Sequence, residues 1–270
     1  MPREITAFSN PLVKRVRGLR EKRHRREEGL FLAEGLRILA EAEEAGVLPE
    51  YLFFAADSAQ HPIVRRLTAA VEARGGEAIE TSRDILHKLS GKDNPQVVLG
   101  VYRQFDTALD RIDRSASGIW LVAQAMRDPG NLGTMLRTGD AVGAGGLILI
   151  DDTVDPFSVE AVRASMGALF TQQIAQARWE EFLPWLRSGP GQLVGLSLEA
   201  SEDYRRPDYQ APTFLLVGNE AQGLPHDYTA ACDLRVKIPM LGKADSLNAA
   251  ISCAVMAYQI LGQRLAFAEA

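Results

Sequence analysis

Polar and glycine residues collect in the last quarter of the chain, where two short apolar runs end. The run Phe214–Val217 stops at Gly218, and the run Leu234–Ile238 alternates and stops at a proline. Both have the length and composition of β-strands. Asp245 and Ser246 then precede apolar residues at helical spacing, which predicts a capped helix N-terminus. In α/β proteins small ligands bind where strand ends meet a helix start, so this stretch is a candidate ligand site.

A nucleotide phosphate loop does not fit this stretch. Gly218 and Gly223 have the spacing of such a loop, but Leu224 and Pro225 occupy the positions of its lysine and its hydroxyl residue. The stretch therefore offers exposed backbone groups and no lysine for a triphosphate. Ordinary turns between strands and helices are the alternative for any one of these loops.

A second candidate lies at the start of a predicted helix, residues 132–142. Arg137 points away from the apolar face of this helix, and Asn131 sits at its start. A helix cap and a solvated arginine would explain the pair on their own. The preceding loop, Arg127–Gly130, is too specialised to be a mere connection. The apolar face consists of Leu132, Met135, Leu136, Gly139 and Val142.

The elements that would position these residues alternate between helix and strand. In the first half we predict a basic helix at 12–28, helices from 36, at 62–74 and at 82–89, and strands at 51–56, 77–80 and 97–102. In the second half we predict further strands at 119–123, 147–150, 173–175 and 192–198, and helices at 158–170 and 180–187. A polar loop at 199–212 could line or cover a site. The alternation predicts an α/β fold with a mostly parallel sheet.

The charge of the chain is unevenly distributed. The 270 residues carry a net charge of −5, yet the first 26 contain nine Lys and Arg against two Glu, an excess of +7 that leaves −12 for the rest. A solvated helix face is one interpretation. The opposite sign of the remainder favours a localised contact with a polyanion. The candidates are Lys14, Arg15, Arg20, Arg23 and Arg26.

Composition narrows the class of protein further. With 46% hydrophobic and 24% charged residues, the chain is typical of a soluble globular protein. No apolar run has membrane-spanning length, and the charged N-terminus lacks a signal-peptide core. Cys232 and Cys253 lack metal-site spacing. We therefore expect a cytoplasmic protein without a metal.

Three motifs resemble those of the SpoU/TrmH-type RNA ribose 2′-O-methyltransferases of the SPOUT superfamily. They are DPGNLGTMLRT (128–138), LLVGNEAQGLP (215–225) and IPMLGKADSLNAA (238–250), in the order and spacing of that family. VRASMGALF (162–170) resembles the segment between the first two motifs. Gly139 replaces a common alanine, and Gln124–Met126 is less acidic than is usual, but neither departure touches a catalytic position. The N-terminal SNPLVKRVRGLREKRHRREEGLFLAEG resembles the L30e-like substrate-binding domain of many members.

The resemblance implies a two-domain α/β architecture. A smaller L30e-like RNA-binding domain would span 1–105, a linker 106–117, and a trefoil-knotted SPOUT methyltransferase domain 118–270. It also implies S-adenosylmethionine as cofactor and a homodimer. By similarity, the cofactor-binding residues are Gly218, Gly223, Ile238, Met240 and Leu247. The reacting centre would contain Asn131, Arg137, Glu220, Ser246 and Asn248.

The chemistry of methyl transfer from a sulfonium suits these residues. It needs no metal and no covalent enzyme intermediate, but it needs a 2′-oxygen placed in line and a proton removed from a very weak acid. The family assigns the basic role to Arg137. Because a guanidinium rarely loses its proton, we expect Arg137 to hold a phosphate and stabilise the forming alkoxide, while water or phosphate accepts the proton.

Several functions remain open on the sequence. The length of the N-terminal domain favours ribosomal RNA, most of all 23S ribosomal RNA, over transfer RNA, whose enzymes in this family tend to have short extensions. A base methyltransferase on the same scaffold is disfavoured by the Asn131/Arg137 pair. An RNA-binding or ribosome assembly factor without catalysis is disfavoured by the intact set of five reacting-centre residues.

Overall fold

The structure is a computed structural model and describes residues 2–91 and 96–268. The strands are β1 Arg3–Ile5, β2 Leu30–Glu34, β3 Tyr51–Ala55, β4 Glu77–Thr81, β5 Val98–Arg103, β6 Ile119–Gln124, β7 Gly146–Ile150, β8 Gln173–Ala177, β9 Gln192–Leu196, β10 Glu202–Asp203, β11 Thr213–Val217 and β12 Leu234–Lys237. The helices are α1 Pro11–Gly18, α2 Lys22–Glu28, α3 Leu36–Glu44, α4 Pro62–Ala73, α5 Arg83–Ser90, α6 Pro129–Ala141, α7 Val159–Ser165, α8 Trp179–Arg187, α9 His226–Ala230 and α10 Ala249–Ala268.

The chain forms two compact units. The first unit comprises residues 1–105 and 155–171, and the second comprises residues 106–154 and 172–270. Residues 155–171, which the sequence motifs place inside the methyltransferase domain, therefore pack with the first unit. The segment 106–117, predicted as a linker, belongs to the second unit.

The described residues of each unit form one sheet. In the first unit the strand order is β1-β4-β3-β5-β2, and β5 runs antiparallel to both β2 and β3. In the second unit the order is β10-β12-β9-β11-β6-β7-β8, and all neighbours are parallel. Strands β6, β7 and β11 are buried along their whole length, as expected for the centre of a parallel sheet. The predicted α/β fold with a mostly parallel sheet is thus confirmed.

The single basic helix predicted at 12–28 is wrong, because the structure has two helices that meet at residues 19–21. The turn frees the carbonyls of Leu19 and Arg20 from helical hydrogen bonding. The Arg25 guanidinium Nη1 donates to both, at 2.9 and 2.7 Å, so a side chain six and five residues further along stabilises the break. The strands β1, β2 and β10 and the short helix α9 were not predicted from the sequence.

The helix predicted at 158–170 is also too long. It ends at Ser165, because Met166 and Gly167 have φ angles of +52° and +105° that a right-handed helix does not permit. A single 3₁₀ turn at Ala168–Phe170 follows. The bend places Phe170 against the aromatic side chains of the first unit.

Residues 155–171 are part of the core of the first unit. The Phe31 ring lies 5.1 Å from Phe157 and 6.0 Å from Phe170, centroid to centroid, and it also contacts Tyr102 and Phe105. Two ion pairs join the same segment to the rest of the unit. Arg25 and Asp155 form a two-pronged pair at 2.6 and 2.9 Å with side chains 3% and 11% exposed, and Arg163 pairs with Glu34.

Candidate active site

A cavity of about 990 Å³ opens in the second unit where strands β9, β11 and β12 end. It is the location that the parallel sheet predicts, since the carboxyl ends of neighbouring strands meet there. All five residues predicted to bind the cofactor line it: Gly218, Gly223, Ile238, Met240 and Leu247. Three of the five predicted for the reacting centre also line it: Glu220, Ser246 and Asn248.

A chain of side-chain hydrogen bonds joins the three motifs at the rim of this cavity. Asn131 Nδ2 donates to Glu220 Oε1 at 3.0 Å, and Asn248 Nδ2 donates to Asn131 Oδ1 at 2.9 Å. Asn131 is 9% exposed, although it does not line the cavity itself. The structure thus brings together one residue from each motif, and Asn131 is the central member of the chain.

Glu220 is held as a carboxylate. Burial disfavours its charged form, but hydrogen bonds from the Asn131 amide and from the backbone N–H groups of Arg127 and Asp128 outweigh burial. The pKa of Glu220 is therefore lowered from its ordinary value. A carboxyl group in this state accepts hydrogen bonds well and is a weak base.

The loop between β11 and α9 folds back on itself through its glycines. A Cβ atom on Gly218 would lie 2.4 Å from the carbonyl carbon of Gly223, so this glycine is required by the loop's own backbone. Gly223 has φ of +67° and donates to the carbonyl of Asn219 at 2.9 Å. The Asn219 side chain donates to the carbonyl of Ala125 at 2.7 Å and so ties this loop to the end of β6.

The start of α10 differs from the prediction. Asp245 and Ser246 do not cap it, because the helix begins three residues later, at Ala249. The cap is Asn248, whose Oδ1 accepts from the backbone N–H groups of Ala250 and Ile251 at 2.9 and 3.2 Å. Asn248 therefore ends the hydrogen-bond chain and starts the helix with the same side chain.

Arg137 and Ser246 have a different environment from the other three. Arg137 is exposed on α6, as predicted from the helix periodicity, and lies outside the cavity lining. Among residues 2–91 and 96–268, neither side chain has a hydrogen-bond or ion-pair partner. Both are thus available to a substrate, and the structure does not bring Arg137 into contact with the rest of the predicted centre.

The segment after β9 is a part of the site that the motifs did not identify. Residues 196–202 line the cavity without a break. The polar loop predicted at 199–212 gave a signal for this, and its lining role is confirmed for residues 199–202. Leu198, which is 61% exposed, precedes it and was not predicted.

The basic residues of the first unit divide into paired and unpaired groups. Of the predicted RNA-binding residues, Arg15 pairs with Glu28 at 2.6 Å and Arg23 with Glu27 at 2.7 Å. Within the described part of the chain, Lys14, Arg20 and Arg26 are exposed and have no ion pair. Glu27 and Glu28 directly follow the basic stretch. Residues 1–28 therefore contain nine Lys and Arg and four Glu, a net charge of +5.

The described residues contain neither a metal-binding cluster nor a membrane-spanning helix. No group of three or more His, Cys, Asp or Glu side chains there is arranged to hold a metal ion. No helix within 2–91 and 96–268 is long and apolar enough to cross a membrane.

The second unit has the features of a ligand-binding α/β domain. Its sheet is parallel, and hydrogen bonds between motif residues join the loops at the strand ends around a cavity. The model described as the SpoU rRNA Methylase family matches residues 118–258, and one described as an MRM3-like substrate binding domain matches residues 10–100. The chain belongs to the SpoU rRNA methylase family. The resemblance drawn from the three motifs is thereby confirmed.

Relatives match along nearly the whole chain. An rRNA methyltransferase from Sinorhizobium meliloti, solved with bound AdoMet, is 39% identical with a TM-score of 0.89, over 96% of this chain and 97% of that one. The 23S rRNA (uridine(2479)-2′-O)-methyltransferase of Streptomyces viridochromogenes is 33% identical over 92% of this chain and 87% of the relative. The 23S rRNA (guanosine(2553)-2′-O)-methyltransferase RlmP of Bacillus subtilis is 28% identical over 96% of this chain and 100% of the relative.

Proposed function

We propose that this protein transfers a methyl group from S-adenosylmethionine to a ribose 2′-hydroxyl of ribosomal RNA, most specifically of 23S ribosomal RNA. The observation that carries the proposal is the hydrogen-bonded chain Glu220–Asn131–Asn248 at the rim of the cavity. Membership of the SpoU rRNA methylase family and the activities named for the relatives support it.

The cavity fits S-adenosylmethionine in charge and in composition. Five carboxylates line it against two permanently cationic side chains, Arg235 and Lys237, and one histidine, His226. Such a lining suits a cationic sulfonium and disfavours a polyphosphate. The lining also includes glycine backbone at Gly218 and apolar side chains at Ile238 and Met240, which suit an adenosyl group. When bound, the cofactor supplies an electrophilic methyl group.

The chain's own polar residues set the geometry of the reaction. Because the pKa of Glu220 is lowered, this residue is a positioning residue and a poor acceptor for the 2′-hydroxyl proton. It fixes Asn131, which fixes Asn248 and with it the start of α10. Three loops are thereby held in one arrangement before the substrate arrives, which lowers the entropic cost of placing the 2′-oxygen in line.

Arg137 and Ser246 complete the proposed centre from the substrate side. Both are exposed and without partners in the described part of the chain, so their hydrogen-bonding groups are free to contact RNA. Arg137 would bind the phosphate next to the target ribose and stabilise the forming alkoxide. Water or that phosphate would accept the proton, since a guanidinium rarely gives up its own.

A homodimer is part of this proposal. Helix α10 packs one face against α6, β6 and β11, and it is apolar on the other side as well. Ile251, Tyr258 and Leu265 recur every seven residues and are 49%, 55% and 57% exposed. A helix that is apolar all round is normally buried all round, so a second copy packed on this stripe accounts for it. The trefoil knot, like the cytoplasmic location, stays a prediction.

The test is methylation of RNA taken from a strain that lacks the gene, with isotope-labelled S-adenosylmethionine. We expect label in 23S ribosomal RNA that survives as alkali-resistant dinucleotides, because a 2′-O-methyl group blocks alkaline cleavage of the neighbouring bond. Alkali-labile label would indicate base methylation, and label confined to transfer RNA would indicate the tRNA alternative. RNA binding without label would indicate a factor that has lost catalysis.

A further inference from the structure

A groove of about 830 Å³ lies in the first unit between the α1–α2 corner and helix α5. The sequence did not connect these elements, since more than 60 residues separate them. Of the residues predicted to bind RNA, only Arg20 lines this groove. The side chains that bear on its chemistry are Phe8, Arg17, Arg20, His24, His87 and Lys88.

The cations of the groove belong to the group that ion pairing leaves available. Arg15, Arg23 and Arg25 are each engaged by a carboxylate. Within residues 2–91 and 96–268, Arg17 and Arg20 have no such partner, and both are exposed. Arg17 and Arg20 are therefore free to neutralise the charge of a ligand in the groove, and Lys88 of helix α5 provides a third cation there.

The groove also contains an aromatic ring, that of Phe8, next to one of these cations. Phe8 is 45% exposed, and the Lys88 ammonium lies 4.8 Å from the centre of its ring. An exposed ring next to unpaired cations is the usual combination for single-stranded nucleic acid, where bases stack on the ring and phosphates contact the cations.

Two carboxylates, Glu21 and Asp84, also line the groove. They would weaken a site meant for phosphates alone. A carboxylate does, however, accept hydrogen bonds from the exocyclic amino groups of bases. The combination of ring, cations and carboxylates matches a nucleotide whose base is unstacked and read at its edge.

We propose that this groove binds an unpaired nucleotide of RNA, with its base stacked on Phe8 and its phosphates held by Arg17, Arg20 and Lys88. The identity of the RNA as the methylation substrate rests on the proposed function. The binding itself does not, because it involves only residues of the first unit.

The experiment measures binding of a short single-stranded RNA and of a matched duplex to the full-length protein, without a methyl donor. Phe8→Ala should weaken single-strand binding about 5- to 150-fold, the range for loss of one stacked base, with little change for the duplex. Phe8→Tyr keeps the ring and should retain the affinity of the wild type. Removing two phosphate contacts with Arg17→Ala and Lys88→Ala should flatten the salt dependence by about 1.4 units of log–log slope.

The matched control is the pair Lys22→Ala and Arg65→Ala, neither of which is among the residues predicted to bind RNA. Both side chains are exposed and lie outside the groove, and the two substitutions remove the same charge from the same unit as Arg17→Ala and Lys88→Ala do. Wild-type affinity of Phe8→Ala, or an equal slope change in the control pair, would overturn the inference. Thermal unfolding of each variant shows whether the fold is retained.

A comparison of bases tests the carboxylates. Oligocytidylate should bind tighter than oligouridylate, which lacks the amino group, and Glu21→Gln with Asp84→Asn should remove the difference. Equal binding of the two by the wild type would overturn the base-edge contact. A protein that binds through the groove but does not methylate would defeat the proposed function alone, and one that methylates while the groove variants bind normally would defeat this inference alone.

Discussion

Asn131 and Asn248 stand 117 positions apart in the sequence and share a side-chain hydrogen bond of 2.9 Å. This bond belongs to the hydrogen-bonded series Glu220–Asn131–Asn248, and the groups at the two ends of the series fix the direction of every hydrogen bond in it. A carboxylate at Glu220 can only accept, and the backbone N–H groups of Ala250 and Ile251 can only donate. Each amide between them therefore has one orientation that satisfies both neighbours, and a change in any member is transmitted to the others.

The first prediction concerns the side chain of Asn131, whose hydrogen-bond donor to Glu220 is replaced by an acceptor. Asn131→Asp removes the donor to Glu220 and places a second carboxylate against it, so the two side chains repel. We expect methyl transfer to fall by at least about 10²-fold, the cost of losing one preorganised contact, with a weaker affinity for S-adenosylmethionine. Single-turnover kinetics and calorimetric titration measure the two effects.

A compensating variant provides the control for this prediction. Glu220→Gln combined with Asn131→Asp supplies an amide donor opposite the new carboxylate. The double variant should recover cofactor affinity relative to Asn131→Asp alone, which is a positive coupling in a double-mutant cycle. Strict additivity of the two substitutions would show that the bond between the side chains does not position the loops.

The second prediction concerns Arg137. Because Arg137 is exposed and has no partner in the described part of the chain, Arg137→Ala should leave the melting temperature and the affinity for S-adenosylmethionine unchanged. Methyl transfer should fall by about 10²–10³-fold. Arg137→Lys keeps a point charge and should recover only part of the rate. A rate for Arg137→Ala above about a tenth of the wild type would remove this residue from the proposed centre.

The third prediction is that a single methyl group at Gly218 is too large. In Gly218→Ala the new Cβ would meet the backbone of Gly223 and Leu224 at 2.4 and 2.5 Å, so the loop that carries Glu220 must shift. We expect a loss of cofactor affinity measured by titration. Gly262→Ala, in helix α10 with no atom within 4 Å of its added Cβ, is the control and should bind normally. Normal binding by Gly218→Ala would contradict the observed loop geometry.

The fourth prediction concerns assembly. Light scattering should give twice the chain mass of 29.5 kDa at micromolar concentration, and Ile251→Arg with Tyr258→Arg should give the monomer, because both charges fall on the exposed apolar stripe of α10. The cavity of one chain does not include its own Arg137. We therefore expect a mixture of inactive Arg137→Ala and inactive Glu220→Ala chains to recover about a quarter of the wild-type activity through mixed dimers. A wild-type monomer, or no recovery, would contradict this arrangement.

The fifth prediction tests the buried pair in the first unit. Arg25→Ala leaves the Asp155 carboxylate buried without its partner, and it also frees the carbonyls of Leu19 and Arg20. We expect a loss of about 3–5 kcal/mol in the free energy of unfolding of this unit. Arg23→Ala removes an exposed pair that solvent screens, so its cost should be far smaller than that of Arg25→Ala. Equal costs in urea denaturation would show that burial of the Arg25 pair is unimportant.

The sequence predicts best what depends on local periodicity. The strands at Phe214–Val217 and Leu234–Ile238 and the apolar face of α6 lie where their patterns indicate, because burial of a periodic face is encoded within a few residues. The three motifs also located the cavity. What the sequence could not supply was the pairing of side chains distant in the chain, such as Asn131 with Asn248.

The errors share this physical cause. Asp245 and Ser246 have cap chemistry, but Asn248 has it too, and the tertiary bond to Asn131 decides between them. The basic helix breaks because Arg25 satisfies two carbonyls at the turn. In each case a contact made only in the folded protein overrides a local preference of comparable strength.

The position of residues 155–171 in the core of the first unit has a consequence for the order of synthesis. A ribosome makes Phe31, Tyr102 and Phe105 well before it makes Phe157 and Phe170, and β6, α6 and β7 are made in between. The first unit therefore lacks part of its aromatic cluster until residues 106–154 of the second unit have been synthesised. A gene fragment that ends at residue 105 would encode the same unfinished core permanently, and its exposed rings would favour aggregation.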